Sequence, residues 1–309
     1  MQQLYKIFFL LGLVTFGCKS NDSNNKKPVV VRLPPRAGVI AVADNATEPS
    51  YQYDLKRPDH SWQLGIGLSE VSGNTWVDKD HLVLIEDLDP ELYLLKVDGT
   101  NATVEKKISF AKTEKEKFDI EDVTMVNNVV YAIWSHGILF RINNWNSTNP
   151  EVERIPTSLT KDNNTEGVCY DPVTKSLLIA CKDDAGIPDE KKSAKAVYQF
   201  NMQSKQLDPK PFLVIHKHDF EKLAGEKLQF NPSAIAVHPV THNIYLLSTR
   251  DNKCMAVYNR DGKLISFQKI DESMMRQPEG ICFAPDGKLY ISTEGVKHGQ
   301  GKLFEFDPK

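Results

Sequence analysis

The sequence predicts an all-β chain, a β-propeller of four-stranded blades. Five blades are expected, six are the alternative, and an N-terminal strand closes the ring. Three observations lead there. First, one phrase recurs: an acid or serine, a short apolar strand, a turn, then a second apolar strand. It is clearest from Pro278-Glu279-Gly280-Ile281-Cys282-Phe283, through Pro285-Asp286-Gly287, into Leu289-Tyr290-Ile291-Ser292-Thr293. An Asp-Gly turn between apolar runs is a hairpin signal. Second, the anchors of the copies, Ser72, Glu121, Glu166, Ser233 and Glu279, are 45 to 49 residues apart except for one gap of 67. Periods near 40 to 50 residues with several strands each mark propeller blades. Third, each repeat has room for four strands, and only one short segment reads as helix.

In chain order, the first repeat offers strands at Asn74–Val77, Leu82–Ile85, Glu91–Val97 and Val104–Ser109, with Asp98-Gly99 turning the last pair. The second contains Val123–Val126, Val129–Ile133, Gly137–Ile142 and Glu151–Ile155. The third runs from Val168 through Leu177–Ala180, Ala196–Phe200 and Phe212–Ile215. Its extra length is assigned to a loop over 183–195 and a short helix over 219–223. A degenerate sixth blade hidden in 183–230 is the alternative. The fourth repeat holds Ala234–Val237, Ile244–Leu247, Met255–Tyr258 and Leu264–Phe267. The fifth ends after three strands, the last being Lys302–Phe306. An unpaired edge there invites aggregation, so Tyr51–Leu55, which alternates like a strand, is assigned as the missing fourth.

The propeller is expected over 51–309. Residues 1–18 read as a signal segment: Lys6 precedes an apolar run, Ile7–Val14, too short to span a bilayer. The run ends in Gly17-Cys18, which resembles a bacterial lipobox. That resemblance implies a lipidated Cys18, an anchor in a membrane, and an extracytoplasmic position in the bacterial cell envelope. Residues 19–50, polar and then proline-rich, read as a tether. Formal net charge is −3, with 40% hydrophobic and 26% charged residues. These values fit a globular core and argue against nucleic acid as a partner. Cys169, Cys181, Cys254 and Cys282 show no metal-like spacing; an oxidising compartment permits disulfides, and the expectation is small buried hydrophobes.

Several short motifs keep a consistent order: Tyr53-Asp54-Leu55, Leu68-Ser69-Glu70-Val71-Ser72-Gly73, Ile120-Glu121-Asp122-Val123, Thr165-Glu166-Gly167-Val168 and Pro278-Glu279-Gly280-Ile281. In this the chain resembles the SdiA-regulated family of bacterial propellers, related in fold to phytase-like and gluconolactonase-like propellers. The resemblance implies a propeller and calcium binding, and implies no reaction.

Blade geometry adds a site. The loop leading into a blade's first strand and the loop leaving its second open on one mouth of the channel. Anchors Glu121, Glu166 and Glu279 therefore meet Glu86, Asp87, His136, Lys182, Arg250 and Glu294, which lie at or just beyond the ends of second strands. Crowded carboxylates repel, and a hard cation relieves them because Ca²⁺ takes six to eight oxygens. Glu121, Glu166 and Glu279 are the candidate metal ligands, calcium the candidate ion; caps on backbone N–H groups are the plain alternative. The other six are candidate ligand-binding residues, with Glu86, Asp87 and Glu294 equally readable as ordinary surface acids. Trp76 and Trp134 are candidate stacking surfaces, Trp76 more naturally an inter-blade packing residue. The expected function is binding of a divalent cation and a small-molecule or protein ligand. A calcium-dependent hydrolase of a phosphoester or lactone, with an anchor Glu as general base, is the first alternative, and an interaction scaffold the second. No Gly-x-Ser-x-Gly elbow, Walker loop or His-Glu-x-x-His helix is present.

Overall fold

A computed structural model describes residues 51–309 except 66, 112–116, 191–193 and 296–298. Cys18, the signal segment and the tether lie outside the described residues. Strand β1 (His60–Gln63) comes first. Blade 1 is β2 (Val71–Asp78), β3 (His81–Glu86), β4 (Glu91–Asp98) and β5 (Asn101–Ser109). Blade 2 is β6 (Ile120–Val126), β7 (Val129–Trp134), β8 (Ile138–Asn143) and β9 (Glu151–Pro156). Blade 3 is β10 (Thr165–Asp171), β11 (Ser176–Cys181), β12 (Ala194–Asn201) and β13 (Gln206–His216). Blade 4 is β14 (Pro232–Val237), β15 (Ile244–Ser248), β16 (Cys254–Tyr258) and β17 (Leu264–Lys269). Blade 5 is β18 (Pro278–Phe283), β19 (Leu289–Thr293) and β20 (Lys302–Phe306), completed on its outer edge by β1. Every blade is a four-stranded antiparallel sheet, and the inner strands β2, β6, β10, β14 and β18 neighbour one another around the ring.

The five blades and the ring closure agree with the sequence reading, but the closing strand is not Tyr51–Leu55. His60 to Gln63 pair with Glu305 to Lys302. Tyr51–Leu55 instead packs its rings into the core. The Tyr53 hydroxyl donates to the Gly287 carbonyl at 2.6 Å and meets His238 Nε2 at 3.0 Å. His238 Nδ1 accepts backbone N–H groups of Val240 and Thr241, so the neutral ring donates from Nε2. The 67-residue gap holds no sixth blade. It is taken up by the 11-residue β13, a 3₁₀ turn (Lys217–Phe220) and helix α1 (Glu221–Ala224).

One apolar cluster fills each of the five blade interfaces, including the one that joins blade 5 to blade 1. Second strands, such as Leu82–Ile85 and Ser176–Cys181, are buried along their length, because a sheet packed on both faces needs apolar residues on both. Cys169, Cys181, Cys254 and Cys282 are buried, as expected, and are free thiols. Between blades 3 and 4, Arg260 holds fully buried Asp171 through two bonds, of 3.0 and 2.8 Å. That guanidinium, with the Thr174 hydroxyl, keeps the Asp171 carboxyl below its usual range although burial alone would raise it.

Candidate functional site

The anchor residues share one structural cause. In each inner strand the register slips by one residue, and the residue left out of the pairing is Ser72, Glu121, Glu166, Ser233 or Glu279. A bulge re-aims its side chain. The two serines use this to brace the ring: Ser72 Oγ donates to the Ile120 carbonyl at 2.7 Å, and Ser233 Oγ to the Pro278 carbonyl at 2.9 Å. The three glutamates carry carboxyl groups to the mouth instead.

Two further columns surround them. Two residues before each bulge stand Glu70, Asp119, Asn164, Asn231 and Gln277. Just past each second strand stand Asp87, Ser135, Lys182, Thr249 and Glu294. Backbone bonds tie the columns together in four blades: Asp87 N–H to Glu70, Ser135 to Asp119, Lys182 to Asn164 and Glu294 to Gln277. The polar column before the bulge was not picked out from the sequence, although it carries the same period and was readable there.

Lys182 is the centre of charge. Its Nζ lies 2.8 Å from Glu166 Oε2, both side chains largely buried. Asn164 Nδ2 donates to the other oxygen of Glu166 at 2.8 Å. Burial works against the Lys182 charge, but Glu166, Glu279 and Glu121 together hold its pKa above the ordinary value. The acids are raised as well, which for them favours the neutral form. Burial raises Glu121 well above the carboxylate range, reinforced by Glu166 and Asp119. Burial pushes Glu279 up to about 8, with Lys182 opposing and Glu166 and Glu294 adding. Burial and the nearby Glu70 and Asp87 push Glu294 up to about 7, while Gln277 Nε2 donates to it at 2.5 Å. Asp87 rises to about 6, from burial and then Glu70 and Asp119. Near neutral pH the mouth therefore holds protonated carboxyls beside a charged amine.

Glu121, Glu166, Glu279, Glu294, Asp87 and Lys182 are thus brought within electrostatic reach of one another. Glu86 is not a surface acid: it is 8% exposed and accepts the Glu70 backbone N–H at 3.2 Å. Arg250 reaches Asp183 at 2.8 Å. His136 is exposed and stacked on Trp134, ring centroids 4.8 Å apart. Trp76 is not at this mouth; partly buried, it packs against the apolar cluster between blades 5 and 1, as the sequence favoured, and also lines the channel's other end.

Among the described residues no three His, Cys, Asp or Glu side chains converge closely enough to hold a metal ion. An ammonium already provides the positive charge that Glu166 needs. What the mouth does present is a cavity of about 610 Å³. Lys182, Arg250, Lys253 and Arg276 line it beside Glu279 and Gln277.

The SdiA-regulated family model matches residues 43–296. The chain belongs to the SdiA-regulated family. Among solved structures it is similar to the Myxococcus xanthus glutaminyl cyclase, at 13% identity and TM-score 0.56 over 82% of this chain and 96% of that one. It also resembles a Xanthomonas campestris gluconolactonase, at 12% identity and TM-score 0.47 over 80% and 78%. A Bacteroides thetaiotaomicron structural-genomics protein of unknown function matches at 15% identity and TM-score 0.48, over 75% and 58%. At 13% identity the likeness to the cyclase shows a shared fold alone. No curated protein matches the sequence.

Proposed function

We propose that this family member is an extracytoplasmic lipoprotein, anchored through Cys18, whose propeller mouth binds a small polar molecule bearing a carboxylate or phosphate. The observation that carries the reading is the 610 Å³ cavity with four basic side chains along its wall. Lys182, Arg250 and Lys253 are each paired already, to Glu166, Asp183 and Glu272. Arg276 is exposed on the rim. An incoming anion takes charge-assisted bonds from these donors. Glu279, mostly protonated near pH 7, contributes an O–H donor instead of a repelling charge.

Thermal-shift titration with citrate, inorganic phosphate and calcium chloride tests this. Citrate or phosphate is expected to raise Tm, and Lys182→Met or Arg276→Ala to remove the shift. If both anions leave Tm unchanged while calcium raises it, and Glu166→Gln abolishes that gain, the cation-binding alternative replaces this one. A hydrolase reading draws on the raised Glu279 beside Lys182, a pairing suited to acid–base chemistry. It requires turnover of a phosphoester or lactone that Glu279→Gln abolishes.

A further inference from the structure

The channel's opposite end is built as regularly as its acidic mouth. The second, third and fourth residues after every bulge line a cavity of about 270 Å³. The outermost of these layers is Trp76, Met125, Tyr170, Val237 and Phe283, half-buried in all five blades. No charged side chain is among the described residues that line the cavity. Large apolar side chains left within reach of solvent around a concavity mark a binding surface.

The deeper layer gives the more specific sign. It reads Asn74, Val123, Val168, Ile235 and Ile281: one amide in a ring of aliphatic groups. Asn74 is 1% exposed, and its Nδ2 donates to Ser292 Oγ at 2.8 Å. Its Oδ1 is buried without a hydrogen-bond partner. An orphaned carbonyl oxygen is costly in an apolar layer, where the aliphatic residues used by the other blades would incur no such cost. A ligand donor would satisfy it.

We propose that this funnel binds a small, uncharged, flat molecule of one or two rings that carries a single hydrogen-bond donor for Asn74 Oδ1. The size follows from volume: an apolar cavity of roughly 150 Å³ already holds benzene. The absence of lining charge selects a neutral body, and the single unpaired acceptor selects one O–H or N–H. The site is separate from the acidic mouth, and a ligand could occupy either one alone.

The test uses purified protein and two probes of matched shape, 2-naphthol and 2-methoxynaphthalene, followed by saturation-transfer NMR and tryptophan quenching. 2-Naphthol is expected to bind at least tenfold more tightly than the methyl ether, which lacks the donor. Asn74→Leu should bring the two affinities together. Because Asn74 also bonds Ser292, a second variant guards against misfolding: Val237→Trp adds a ring at the half-buried rim and deletes no hydrogen bond. It should abolish binding of both probes. Failure of both probes to bind wild type, equal wild-type affinities, or full binding by Val237→Trp would each overturn the proposal.

Discussion

Glu279 shows what a charged residue undergoes when a bulge turns it into a ring of like charges. In the unfolded chain it titrates near 4.5; in the fold burial moves it to about 8. Between those values the unfolded state ionises and the folded state resists, so the native form loses stability as pH rises. Glu279→Gln removes the group that resists. The expected result is a higher Tm than wild type at pH 8, equivalent to on the order of 1–3 kcal/mol, and little difference at pH 4.5. Urea unfolding at the two pH values checks it; equal effects at both would show that Glu279 is not held neutral. A residue placed against its own stability in this way is the pattern of a binding or reactive position.

At the scale of elements, the blades are held together by apolar interfaces with a few polar clamps. The Arg260–Asp171 pair is the clearest clamp, joining β10 of blade 3 to the turn after β16 of blade 4. Losing the arginine leaves Asp171, 0% exposed, with only Thr174 and backbone N–H donors. Arg260→Ala is expected to lower stability by about 3 kcal/mol, part of it from lost stacking on Phe212, 5.0 Å away. Denaturant melts of the single variants and of Arg260→Leu with Asp171→Leu separate the charge from the packing. The double variant should recover part of the loss.

The inner-strand bulges answer to backbone space as well as charge. A Cβ on Gly73 would fall 2.5 Å from Asp122 Oδ1 and 2.7 Å from its Cα. Asp122 cannot move aside cheaply, because its carboxyl accepts N–H groups from Val123 and Val168 at 2.8 and 2.9 Å. Gly73→Ala is therefore expected to cost about 2 kcal/mol or more by overpacking, measured as a drop in denaturation midpoint. Near-wild-type stability would mean that the channel centre is looser than its geometry indicates.

At the scale of the whole molecule, the ring was legible because its period is fixed by one hairpin phrase, and the anchors of that phrase are the bulge residues. The acidic mouth was legible for the same reason. The closing strand was not. His60–Gln63 has four residues and one buried side chain, Trp62, so it gives almost no alternation to read. Tyr51–Leu55 imitates a strand because its aromatic rings are spaced to reach His238 and Gly287, not a neighbouring strand. Of the four basic residues on the cavity wall, Lys253 and Arg276 were missed for another reason: they lie in loops outside the repeating positions. Closure then makes Trp62 decisive. Trp62→Ala removes the buried residue of the outer strand of blade 5, and is expected to cost about 3–5 kcal/mol. It should also expose β20 as an edge, seen as faster aggregation by light scattering.

The closed ring also sets the pH response. Glu294 and Glu279, at about 7 and 8, both ionise late in the fold, so each subtracts stability as pH climbs from their unfolded values toward those figures. His238 acts on the acid side. Burial lowers it to about 4, so its neutral ring contributes stability above the unfolded value near 6.5 that is lost as pH falls toward 4. Above 6.5 the histidine is neutral in both states and has no slope, leaving the mouth carboxyls to dominate. Tm is expected to fall from pH 6.5 and to level off near pH 8, and the Glu279→Gln/Glu294→Gln double variant to flatten that decline. An anion bound at the basic wall favours the neutral carboxyls beside it, so citrate should tighten as pH drops through the same interval. A Tm that rises with pH over this range would mean that the mouth's charges are better screened than their burial implies, and would remove the protonated Glu279 from the proposed site.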